Sequence, residues 1–258
     1  MTAVHEPGLV SEPLLALTRS LGDPARDHVI LAEGNTSELL DDGRLVVKAS
    51  GSRMAGAREE DFVVVEMQPL VDLLTSASAT QADLTAALDA GEVGGRRRRG
   101  SIETLVHVAV QAVRPVRFVG HTHPTEVVGL LSSSSAASAF ERPAYSDEAV
   151  VLGRPLFVPY AQPGIDLGRI FHQRLVAYVD RMGDLPQLVL LANHGIVAIA
   201  PTAEGVEAVA EMAVKAARVR SIAYSVGGLQ ALTDEAVDKF FARDDIDERR
   251  GNLSRGQF

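Results

Sequence analysis

Two apolar runs, residues 187–192 and 196–200, are separated by only Asn193-His194-Gly195. A break this short cannot hold the crossover that parallel neighbours need, so it reads as the turn of an antiparallel pair. Asp41-Asp42-Gly43 is a second hairpin-like turn, leading into a strand over residues 44–49. Residues 62–67 are a further β-branched run, and residues 117–120, 150–152 and 156–158 read as short strands. Between them lie helical patterns. Leu14, Leu15, Leu17 and Leu21 have helical spacing, and Pro69 opens a short helix through Leu74. Ser101 caps a helix running to about Val113, which Pro115 stops. Residues 165–182 and 234–242 are also helical. Thr202 caps a long helix with Val206, Val209, Ala213, Ala216, Val219 and Ala223 facing inward. Strands and helices are mixed, without regular βαβ alternation, a GxGxxG loop or a P-loop. The pattern predicts an α/β chain with a mixed or antiparallel sheet covered by helices, in a single domain over residues 1–258.

Other stretches are less regular. Gly34-Asn35-Thr36-Ser37 is a turn-type cluster, residues 75–100 show little pattern, and Arg96–Arg99 reads as a loop because like charges repel. Residues 132–138 are low in complexity and read as exposed, and the charged stretch from Arg243 as a tail or subunit arm. The net charge of −9 argues against a general nucleic-acid binder, which needs a basic face. The absence of cysteine rules out disulfides and thiolate metal sites, so any metal must sit on His, Asp or Glu. No apolar stretch is long enough to span a membrane. Residues 1–13 have no basic segment leading into an apolar run, so a cytoplasmic location is expected.

His121 and His123 stand two apart at the end of a short strand, where alternate residues share a face and two imidazoles can converge on one ion. They can equally be polar strand-end residues bonded to backbone or water. His194, at the tight turn between two apolar strands, supplies a third imidazole. Three histidines with an open fourth position is a catalytic zinc arrangement. The sequence alone does not bring His194 to the pair. Glu103, in the first turn of the helix leading to the His-x-His strand, suits the helix dipole and could also act as a general acid/base. Gly34-Asn35, Ser50-Gly51 and Gly100-Ser101 are small polar turns of the kind that present N–H groups and hydroxyls to an anion. Of the other histidines, His107 reads as a helix-face residue and His5, His28 and His172 as surface residues. Asp147 and Glu148 are a possible second source of carboxylate.

Taken in order, Gly34-Asn35-Thr36-Ser37, Lys48-Ala49-Ser50-Gly51, Ser101-Ile102-Glu103, His121-Thr122-His123-Pro124 and Asn193-His194-Gly195 resemble the class II aldolase/adducin family. The resemblance spans residues 10–230. It implies a three-layer α/β/α fold with a mostly antiparallel central sheet, and often a homotetramer. His121, His123 and His194 then match the ligands of one divalent cation, with zinc expected and Mn2+, Fe2+, Co2+ or Ni2+ as alternatives. Glu103 matches the catalytic acid/base of the fuculose- and rhamnulose-phosphate aldolases. Gly34, Asn35, Ser50, Gly51 and Ser101 match positions that hold the substrate phosphate. Where those aldolases often carry a second Ser or Thr before the Glu, this chain has Ile102, so one side-chain anion ligand is missing. Tyr145 lies near the place of a catalytic tyrosine, though its local match is poor. Related epimerases carry Asp where Glu103 stands. The implied activity is that of a metal-dependent lyase, cleaving a C–C bond of a ketose or ketose phosphate through a metal-stabilised enediolate. A dehydratase, epimerase or decarboxylase on the same scaffold is the alternative, and a non-catalytic adducin-like interaction protein is another. The implied partner is a small sugar or sugar phosphate, with neither nucleic acid nor membrane.

Overall fold

A computed structural model describes residues 2–254. In chain order the elements are β1 (Ala3–Val4), α1 (Glu12–Leu21), β2 (Asn35–Leu39), β3 (Leu45–Lys48), β4 (Phe62–Val65), α2 (Met67–Thr75), α3 (Gln81–Ala87), β5 (Asp89–Val93), β6 (Arg96–Arg99) and α4 (Thr104–Val113). They continue with β7 (Phe118–Thr122), α5 (Thr125–Leu131), α6 (Ser146–Leu152), β8 (Leu156–Val158), α7 (Ile165–Met182), β9 (Leu188–Leu191), β10 (Gly195–Ala200), α8 (Ala203–Ser225), α9 (Asp234–Phe241) and α10 (Asp244–Ser254).

Eight strands form one sheet in the order β1-β4-β3-β2-β7-β10-β9-β8. Every neighbouring pair is antiparallel except β8 with β9. Both faces are covered, which is why the strands read as continuous apolar runs. On β10, Ile196, Ala198 and Ala200 enter a core with Leu14, Leu17 and Val206 of α1 and α8. The alternate residues Val197 and Ile199 enter a second core with Leu105 of α4 and Phe171 of α7. The expected three-layer arrangement is therefore present. No helix among the described residues is long and apolar enough to cross a membrane.

Several local expectations are corrected. Asn35 begins β2 rather than sitting in a turn. Arg96–Arg99 is a strand: Gly94 and Gly95, at φ +58° and +74°, turn β5 into β6, and Arg97 bonds Asp89 across the hairpin. Within residues 75–100, Thr80 caps α3 through a reciprocal bond with Asp83. Residues 150–152 belong to α6, because a short apolar run is equally at home on a buried helix face. Ser101 does not cap a helix; α4 begins at Thr104 with Glu103 in the cap position. Much of the expected tail is α10, which buries Ile246. Residues 255–258 of that stretch lie outside the described residues.

Candidate metal centre

The centre forms at one end of β7, which is flanked by β2 and β10. In the sheet register His121 lies beside Asn35 on one side and Val197 on the other. His123 follows the strand end, where its backbone N–H donates to His28 O at 2.9 Å. His194 stands in the turn between β9 and β10. Asn193 takes the left-handed conformation there, with φ +53°, and a Cβ on Gly195 would lie 2.3 Å from Thr122 O. The Asn-His-Gly turn can therefore press against β7 only because it carries these residues. Gly34 is constrained in the same way: it has φ +64°, and a Cβ there would meet His121 O at 2.7 Å.

The sequence left open whether His194 joins the pair, and in the structure it does. His123 Nε2 is 2.9 Å from His121 Nε2. Glu103 Oε1 is 2.7 Å from His194 Nε2, and Glu103 Oε2 is 3.2 Å from His121 Nε2. The four side chains offer ligand atoms all within 4.8 Å of one another. His121 Nδ1 donates to Ile196 O at 2.8 Å, which turns the Nε2 lone pair toward the others.

Burial alone would raise the Glu103 pKa, but the imidazoles of His121 and His194 outweigh it and hold the carboxyl well below its ordinary range. Burial opposes protonation of His121, yet Glu103 wins and raises its pKa. His123 is pulled down to about 3 by burial and then by the other two rings. The donor set fits a divalent cation. Three imidazole nitrogens and one carboxylate converge, and the far nitrogen of His121 is tied to a carbonyl, as is usual for a ligating histidine. One side is open, where a cleft of about 430 Å3 is lined by Val29, Ile30, Glu33, His123, Val128 and His194.

Asn35, buried on β2, donates to Ser101 Oγ at 3.2 Å and to Glu103 Oε2 at 3.0 Å. Ser50 and Gly51 are exposed and run alongside, with Ser50 N–H donating to Arg99 O at 2.8 Å and Ala49 bridging Gly100. The turn and helix-start positions chosen from the sequence thus come together at the end of the sheet that carries the histidines.

Other candidates lie elsewhere. Tyr145 O–H donates to Met212 Sδ at 3.1 Å on α8. Asp147 pairs with Arg249 and Glu148 with buried Arg220, so neither carboxylate is part of the histidine cluster. His28 is buried rather than on the surface, 3.1 Å from Glu211. The sequence reading gave no role to two further residues. Lys48, 1% exposed, donates to Ser52 O, to Ala49 O at 3.4 Å and to Ala32 O at 3.5 Å, and burial brings its pKa down to about 8. His107 is buried against Asn35 and Ser37. Its signal in the sequence was its spacing, four residues after Glu103, but its partners are on another element.

A family model described as the class II aldolase and adducin N-terminal domain matches residues 12–221. Among solved structures, YgbL from Klebsiella pneumoniae, whose description leaves open aldolase, epimerase or decarboxylase, superposes with a TM-score of 0.64 at 23% identity. That match covers 93% of this chain and 99% of the other. An L-fuculose 1-phosphate aldolase superposes at 0.63 with 20% identity, covering 90% and 95%. The L-fuculose-1-phosphate aldolase of Thermus thermophilus gives 0.57 at 18%, covering 84% and 98%. At such identities the likeness is one of fold. No curated protein sequence gives a significant match.

Proposed function

The chain belongs to the class II aldolase and adducin family, and on that premise we propose that it is a metal-dependent lyase that reversibly cleaves a C–C bond of a ketose or ketose phosphate. The observation that carries this reading is the convergence of Glu103, His121, His123 and His194 at the mouth of an open cleft. Class II aldolases use a divalent metal. Here His121, His123 and His194 would hold it, with zinc as the proposed ion because three imidazoles and an open position suit it. When bound, the ion supplies a Lewis acid for the charge that develops when a C–C bond beside a carbonyl breaks.

The protein's own groups do the rest. Asn35 Nδ2 holds Glu103 Oε2. Oε1 faces His194 Nε2 at 2.7 Å and, with that ring turned to the ion, would be the oxygen left to carry a proton to or from the substrate carbon. The His121 and His194 imidazoles hold the Glu103 carboxyl well below its ordinary range, so it is ionised at neutral pH. Asn35, Ser101 and the Gly34 and Ser50-Gly51 backbones form the polar end that receives the anionic or hydroxylated tail of the substrate. With Ile102 at 37% exposure where a hydroxyl could stand, that end has fewer side-chain donors than a dedicated phosphate site. We further propose a cytoplasmic homotetramer, whose subunit number native mass spectrometry tests.

The deciding experiment is metal content per chain beside turnover on a panel of ketoses and their phosphates. About one divalent ion per chain, lost in His121→Ala, supports the site. Glu103→Gln should keep the ion and lose about 10^2–10^4-fold in rate. Absence of metal after incubation with zinc would remove the enzyme reading and favour an adducin-like binding role. Retained turnover in Glu103→Gln would take the proton from Glu103. Product analysis on the same panel separates cleavage from dehydration, epimerisation and decarboxylation, the choice that the description of YgbL leaves open.

A further inference from the structure

Ser37 and Asn35 lie two apart on β2, and Glu103 and His107 lie four apart at the start of α4. These spacings put each pair on one face of its element, and the two faces meet. His107 is fully buried, with Nδ1 2.7 Å from Ser37 Oγ and Nε2 in a short contact with Asn35 Oδ1. Asn35 Nδ2 continues to Glu103 Oε2 at 3.0 Å.

The direction of the whole chain follows from its last bond. An ionised carboxylate only accepts, so the atom of Asn35 that faces Glu103 is nitrogen and the atom that faces His107 is oxygen. A carbonyl oxygen also only accepts, so the ring proton of His107 sits on Nε2. Nδ1 is then a lone pair, and the Ser37 hydroxyl donates to it. Burial, and after it the charge of His121, pulls His107 down to about 3, which keeps the ring neutral as this pattern requires. A flipped Asn35 would set oxygen against carboxylate at one end and would need the Nδ1–H tautomer of His107 at the other.

We propose that His107 is a positioning residue for the reaction, locking the Asn35 amide so that its NH2 group faces Glu103 and fixes which carboxylate oxygen is free to carry a proton. The proposal rests on the reading of Glu103 as the proton carrier. The relay itself can be tested without turnover.

The test is a long-range 1H–15N correlation spectrum of the histidine rings in the zinc-reconstituted full chain. The His107 signals are assigned by their loss in His107→Phe, or in His107→Gln should the first variant not fold. The expected result is the Nε2–H tautomer, with a ring resonance that moves when Glu103→Gln is introduced, because the new amide can donate as well as accept. An Nδ1–H tautomer, or a ring indifferent to Glu103→Gln, overturns the proposal whether or not the chain is an aldolase. Where turnover is measurable, His107→Phe should lower kcat by about 10- to 100-fold with KM and zinc content little changed. His107→Gln, whose amide can accept from Ser37 and donate to Asn35, should recover part of that loss. An equal loss in both variants, or a change in KM alone, overturns it.

Discussion

The histidine centre and the Arg220–Glu148 pair both bury a carboxylate against nitrogen, but they use their hydrogen-bonding capacity differently. Arg220 is 0% exposed. Its Nε donates to Ala139 O at 2.6 Å, Nη1 to Ala216 O at 3.0 Å and Glu148 Oε2 at 2.9 Å, and Nη2 to Arg142 O at 2.9 Å and to Glu148 Oε1. All five N–H groups of the guanidinium are used, and the Phe140 ring lies 4.2 Å away. At the centre, the donor atoms of three rings and Glu103 instead point at one another. The first cluster is saturated and ties residues 139–148 to α8. The second converges and opens on a cleft. A buried charge alone is therefore a weaker sign of a candidate site than donor atoms aimed at a common point.

The comparison can be broken by removing one partner from the saturated cluster. Glu148→Ala strands a buried guanidinium and should cost about 3–5 kcal/mol in urea unfolding. The zinc content of the folded fraction should stay that of wild type. Loss of zinc binding at unchanged stability would show that the pair serves the centre after all.

Acid sharpens the comparison with a smaller effect. His107 is neutral in the folded protein, with a pKa of about 3 against the ordinary 6.5. Between those values the unfolded chain binds the extra proton, so the contribution of His107 is complete above pH 6.5 and is lost as pH falls toward 3. The Tm of wild type should therefore fall more steeply than that of His107→Phe between pH 6.5 and 4. Parallel curves would mean that His107 is not held neutral.

The smallest effect is expected at the surface. Arg97 is 66% exposed beside Asp89, and water screens such a pair. Arg97→Ala should leave the Tm within about 1 °C of wild type. A larger drop would show that the arginine hairpin is structural in its own right.

The antiparallel order of β9 and β10 was legible because a three-residue break allows little else. The convergence of the histidines was half legible: the alternation gave the first two, but only the register of β10 against β7 brings His194 to them. The β5–β6 hairpin was hidden by charge, since four arginines look like a repelling loop until Asp89 and Asp61 are seen facing Arg97 and Arg98. The residues of α6 were misread because a run of valines does not say which element buries it. His107 was missed because its meaning lies in Asn35 and Ser37, about seventy positions away.

β7 has a hydrogen-bonded neighbour on both sides, whereas His194 stands in the short turn after β9. A strand in that position opens only when the sheet does, while a turn can open alone. For an ion held as proposed, exchange would then be a matter of local kinetics, with His121 staying in place as the anchor and the 192–194 turn setting the rate. In deuterium, the amide of His194 should exchange early and those of residues 119–121 among the last.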